Sequence, residues 1–205
     1  MDSDTIWRHI DTERAALADV LASLPDDGWS TPSLCADWTV RDVAAHLALS
    51  HSRPRDLLGA AARSGFRYQA MVRDSAIRCP LTHEQLVHRL RGFVGSRRTV
   101  PMVSEREPLL DILVHTQDIC LPLGLDHPMP TDAAVTALER VIWWSRRVPI
   151  GPRLRGVHLV ATDVAWQAGA GRRVEGPVQW LLLAAAGRTV AHAHLRGAAE
   201  TFARA

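Results

Sequence analysis

The stretch WSTPSLCADWTVRDVAAHLALSH, residues 29–51, decides how this chain is read. Its second half opens with a helix-start signal. Thr39 stands three residues before Asp42, so the Thr hydroxyl can accept the third helical N–H while the Asp carboxylate reaches back. Val43, Ala44 and Leu47 follow at helical spacing, and His46 falls beside them. A single histidine in that position reads first as a core or boundary residue donating to a carbonyl. It becomes a ligand only where other donors converge on it.

A second stretch, LLDILVHTQDI at residues 109–119, supplies such donors. Asp111 and His115 are four apart, which on a helix places their Cβ atoms about 5–6 Å from each other on one face. Asp118 adds a third polar residue to that face, while Leu110, Leu113, Val114 and Leu121 make the apolar stripe. Asp–His pairs at this spacing also occur on exposed helices as weak electrostatic support, so spacing alone leaves both readings open. With an imidazole from another helix, the pair would form the kind of metal site that bundles build from facing helices. Two nitrogens and one oxygen with a position left open suit a catalytic zinc. Asp118 reads as an acceptor behind a ligand or as a helix-end surface residue.

The rest of the chain is consistent with a helical protein. Residues 4–24 carry Ile6, Ile10, Leu17, Leu21 and Leu24 at helical spacing and stop at Pro25-Asp26-Asp27-Gly28. The capped helix extends to about residue 51, and Asp56–Arg63 reads as a further helical segment. Residues 64–80 read as loop with some helix, and Thr82 starts a helix to about Gly95. Ser104 and Glu107 suggest another capping box, with Pro108 in the first turn, for a helix ending at Leu121-Pro122. Residues 131–147 make one more. The texture then changes. Residues 156–169 alternate and pair across a Gly-rich turn with Arg172–Gly176 as two strands, and Pro177 opens a last helix. We therefore expect a mainly α fold with a small α+β C-terminal unit, the bundle over residues 1–148 and the second unit over 149–205.

The 205 residues carry a net charge of +2, too small to argue for nucleic acid, and every basic residue is Arg, scattered among acids. No apolar run reaches the eighteen or so residues of a membrane span, and the N-terminus lacks an apolar signal core, which points to a cytoplasmic protein. The three cysteines lie far apart without CxxC spacing. Cys35 and Cys120 read as buried inert thiols, and the Trp-rich places, Trp38 among them, read as packing.

The segment LCADWTVRDVAAHLA resembles the N-terminal motif of the mycothiol-dependent maleylpyruvate isomerase family, and DILVHTQDICLPLG resembles that family's second motif. The C-terminal LVATDVAWQAGAG…VEGPVQWLLLAAAGR looks like the family's tail. The resemblance implies a DinB-like up-down four-helix bundle holding one divalent metal, usually zinc. The implied ligands are His46, Asp111 and His115. The family's acidic position carries Glu, whereas here it is Asp111, one methylene shorter. The cofactors implied are Zn²⁺ or another divalent metal and mycothiol, acting on a small-molecule substrate. A thiol deprotonated at the metal would add to a conjugated cis double bond, allow rotation and be eliminated. In an S-transferase it would stay attached. The competing class is a non-catalytic ligand-binding or regulatory protein that keeps the bundle, and the bundle's flank could also support a homodimer.

Overall fold

A computed structural model of the chain describes residues 1–50, 68–99, 103–147, 154–197 and 201–202. The expected helical segment Asp56–Arg63 lies outside them. The fold is mainly helical with one small sheet, a DinB-like architecture. Its helices are α1 (Ser3–Ser23), α2 (Asp26–Trp29), α3 (Val40–Leu49), α4 (Tyr68–Ile77), α5 (His83–Arg91), α6 (Arg106–Cys120), α7 (Thr131–Ser145) and α8 (Val178–Ala185). Strands β1 (Val157–Ala161), β2 (Gln167–Gly169) and β3 (Arg172–Gly176) lie between α7 and α8, and a 3-10 turn, Thr189–His194, follows α8.

The chain groups into two compact units, and both α1 and α6 run from one into the other. One unit holds Trp7–Glu105 and His115–His127. Here α3 packs against α4 and α5. Val40, Val43, Ala44 and Leu47 of α3 are buried, as are Ile10, Leu17 and Leu21 of α1 and Leu86, Val87 and Leu90 of α5. The α3 start is built as its sequence indicates: the Asp42 amide donates to Thr39 Oγ1, and the Thr39 amide donates to Asp42 Oδ2. Thr82 and Gln85 close the same reciprocal pair at the start of α5. Buried Arg14 donates to the carbonyls of Phe93 and Ser96 just beyond α5, satisfying acceptors that the helix end leaves open.

The other unit holds Met1–Ile6, Arg106–Val114 and Pro128–Ala205. Helix α7 packs on α8, burying Ala133, Ala134, Ala137 and Leu138 against an α8 that is itself almost wholly apolar and buried. The sheet order is β2-β1-β3. Strand β1 pairs antiparallel with β2 and parallel with β3. Two expectations change here. The strand pair becomes three strands, because the segment 162–166 turns the chain so that Gln167–Gly169 returns along β1 before β3 begins. The helix start expected at Ser104 also shifts: α6 begins at Arg106, with Glu105 rather than Ser104 in the N-cap position and no cap bond from the Glu105 side chain. The Glu107 carboxylate accepts from the Arg140 guanidinium in a charge-assisted contact. Within residues 64–80, read from the sequence as loop with some helix, Tyr68–Ile77 forms α4.

Candidate metal centre

Three parts of the chain present the donors. Helix α3 carries His46, half-buried beside Val43 and Leu47. Helix α6 carries Asp111, His115 and Asp118 on successive turns. The loop before α3 carries Cys35 and Trp38. That loop is closely held: Ser33 Oγ donates to the Trp38 carbonyl and accepts the Cys35 amide, and the Leu34 amide donates to the Asp118 backbone carbonyl. Asp37 takes a φ of 65° within it, a left-handed conformation that short polar side chains tolerate.

The rings of His46 and His115 meet edge to face with centroids 4.8 Å apart, although 69 positions separate them in the chain. One donor atom from each of His46, Asp111 and His115 lies within 4.8 Å of the others. Asp111 needs no packing argument for its share of this, because it sits one helical turn before His115 on α6. The Trp38 ring tilts against both imidazoles, with centroids 5.4 Å from His46 and 6.4 Å from His115. Trp38 is therefore a wall of the site, where the sequence suggested only packing.

Asp118 is wholly buried, at 0% exposure. Its Oδ2 stands 2.8 Å from His115 Nδ1 and accepts the Cys35 thiol at 3.1 Å. The Cys35 Sγ is 3.7 Å from the same His115 nitrogen. A carboxylate on Nδ1 fixes the orientation of the ring and turns Nε2 toward whatever the ring binds. Cys35 is half-buried and lines the open cleft, so the burial read for it from the sequence is corrected. That reading failed because nothing in the spacing of residues ties position 35 to a helix some eighty residues later. The inert reading holds for Cys120, whose thiol burial, reinforced by the Glu13 charge, pushes up to about 11.

The cleft has a volume of about 600 Å³ and is lined by Cys35, Ala36, Trp38, His46, Ala70, Val72, Arg73 and His115. Away from it, His127 donates to Glu13 at 2.8 Å, and that bond raises its pKa above the usual histidine value. Among the described residues no helix is long and apolar enough to cross a membrane.

The fold and this cluster of imidazole, carboxylate and thiol donors beside the cleft define the class, a DinB-like helical protein with a potential cation-binding centre. The N-terminal part is more particular: residues 10–101 match the mycothiol maleylpyruvate isomerase N-terminal domain family. This bears out the resemblance read from the segment around His46. Two solved structures share the fold. The crystal structure of a histidine-to-alanine mutant of the mycothiol-dependent maleylpyruvate isomerase is similar with a TM-score of 0.66 and 15% identity, over 95% of this chain and 92% of that one. A second crystal structure of the mycothiol-dependent maleylpyruvate isomerase gives a TM-score of 0.61 at 16% identity, over 92% of this chain and 90% of that one. No curated protein sequence matches the chain.

Proposed function

We propose that the chain is a metal-dependent enzyme that uses a low-molecular-weight thiol, mycothiol by family likeness, to isomerise or conjugate a small electrophile. The observation that carries this reading is the convergence of donor atoms from His46, Asp111 and His115 within 4.8 Å of one another. Two neutral imidazoles and one carboxylate are the donors of a catalytic zinc site with a position left for an exogenous ligand. Asp118 supports it by accepting the His115 Nδ1 proton, which commits the other ring nitrogen to the ion and holds the ring in place. The shorter Asp111 still offers a carboxylate oxygen, with less slack in its reach than a glutamate would have.

A divalent cation held there supplies positive charge that favours the deprotonated form of a thiol brought to it. The chain's own side chains do the rest. Trp38 closes one wall and limits the water around the reacting sulfur. Arg73, at the cleft lining, offers a guanidinium to a carboxylate on the substrate. The cleft volume falls in the usual range for small-ligand sites, about 300–1,000 Å³. The sulfur of such a thiol would serve as a nucleophile toward the conjugated cis double bond of an isomerase substrate, with Arg73 placed to hold that substrate's carboxylate. In a transferase the same sulfur would remain bonded to the substrate carbon. The chemistry belongs to residues 1–148 in this reading, residues 149–205 being an accessory unit, and it suits a reducing cytoplasm.

Metal analysis under a competing chelator tests this. The wild-type chain should retain about one equivalent of divalent metal, and His46→Ala and His115→Ala should each bind it at least about a hundredfold more weakly, as expected when one of three protein ligands is lost. A wild-type chain without stoichiometric metal, or two variants with wild-type affinity, ends the reading. Saturation with the thiol should then raise the melting midpoint, by about 2.7 kcal/mol of stability at a hundred times its dissociation constant.

A further inference from the structure

We propose that Cys35, Asp118 and the Nδ1 edge of His115 form a second, sulfur-containing cation site, selective for thiophilic divalent metals and mutually exclusive with the first. The three side chains bring one donor each of sulfur, oxygen and nitrogen, with all three atoms within 4.8 Å. Their separations are 3.7 Å for sulfur to nitrogen, 3.1 Å for sulfur to oxygen and 2.8 Å for nitrogen to oxygen. A tetrahedral zinc with bonds of about 2.0–2.3 Å holds its donors about 3.4–3.6 Å apart. The sulfur–nitrogen pair already meets that spacing. The two hydrogen-bonded pairs need to open by about half an ångström, which happens once the thiol and ring protons leave and their bonds to Asp118 are replaced by bonds to the ion.

The surroundings favour a cation. Asp118 is a carboxylate at 0% exposure, and a charge so buried gains from a positive partner. The cleft reaches Cys35 and His115, giving an ion a route in and water a place in the fourth position. Thiolate selects zinc or cadmium over magnesium or calcium. The exclusivity follows from the ring. His115 can hold the first ion through Nε2 only while Nδ1 keeps its proton for Asp118. An ion on Nδ1 removes that proton and the orienting bond together. A thiophilic cation in excess should therefore inhibit the enzyme by taking His115 from His46 and Asp111.

This goes beyond the proposed reaction; it shares His115 with the first ligand set and takes over Asp118, which orients that ring. Co²⁺ is titrated into the metal-free, full-length chain and into its His46→Ala variant, where the first site is broken. His46→Ala should bind Co²⁺ with a near-ultraviolet thiolate-to-cobalt charge-transfer band. That band should vanish in His46→Ala/Cys35→Ser, and His46→Ala/Asp118→Asn should bind at least about tenfold more weakly. In the wild-type chain, excess Cd²⁺ should slow iodoacetamide alkylation of Cys35, a readout that needs no variant to fold. Co²⁺ bound to His46→Ala without the band, no Co²⁺ bound to it at all, or Cys35 unprotected by Cd²⁺ overturns the proposal. If the wild type binds Co²⁺ and His46→Ala does not, the proposed function survives and the second site falls. If both chains bind Co²⁺ equally, with the band in each, the second site stands and the proposed function falls.

Discussion

Asp118→Asn gives the sharpest test of how the centre is oriented. In the Cys35→Ser background, where the sulfur donor is gone, it reports only on the ligand set His46, Asp111 and His115. The substitution keeps size and shape while removing a charge from a side chain with 0% exposure. The carboxylate accepts from His115 Nδ1 at 2.8 Å, and a charge-assisted bond of this length is roughly twice as strong as a neutral one. The asparagine can meet the ring in two ways. With its carbonyl toward Nδ1 it keeps the tautomer but weakens the bond. With its amide toward Nδ1 it donates, moves the ring proton to Nε2 and removes the lone pair that the ion requires. Loss of such an orienting partner costs about 10–100-fold in metal affinity, or about 1.4–2.7 kcal/mol. Zinc affinity measured against a chromophoric chelator should fall by that factor, while circular dichroism shows an unchanged helical signal. An affinity within twofold of the Cys35→Ser parent would refute the claim that Asp118 sets the working face of His115.

Thr39→Ala removes the hydroxyl that accepts the Asp42 amide at 3.3 Å and should cost about 1 kcal/mol in urea denaturation, the usual worth of an N-cap; an unchanged midpoint would mean that α3 does not depend on its cap. His127→Gln tests the pair with Glu13, whose hydrogen bond raises the folded histidine pKa above its ordinary value of about 6.5. A raised folded pKa means the proton stabilises the native state in full below the unfolded value, and this is lost as pH climbs through the folded one. The variant should therefore lose about 1.5–3 kcal/mol near pH 5.5, and a smaller amount at pH 9, checked by urea melts at both. A loss independent of pH would show that His127 is not protonated in the pair.

How much of this was legible in the residues follows from the range of the interactions involved. Thr39 and Asp42 announce the start of α3 because both bonds close within four residues. Asp111 and His115 share a face because the helical repeat puts them there. The contact between Glu107 and Arg140, 33 residues further along, has no such local signature.

Range also separates the two donor sets. The residues of the first ride on helices, where periodicity fixes direction before any tertiary contact is known. Cys35 rides on a loop, and its direction is set by Ser33, by the turn at Asp37 and by the Leu34 amide bonded to the backbone of Asp118. That last bond is the informative one. It ties the loop to the residue whose side chain accepts from both the thiol and His115, so Cys35 and Asp118 are brought into register by main chain and side chain at once. A thiol brought there only by chance packing would not have its loop fastened to the carboxylate it meets. Replacing Leu34 by Pro would delete that amide without changing the identity of any donor residue. The chemistry of position 35 should then separate from that of position 46: Co²⁺ bound through His46 should survive, and the sulfur-to-cobalt band of the His46→Ala background should be lost.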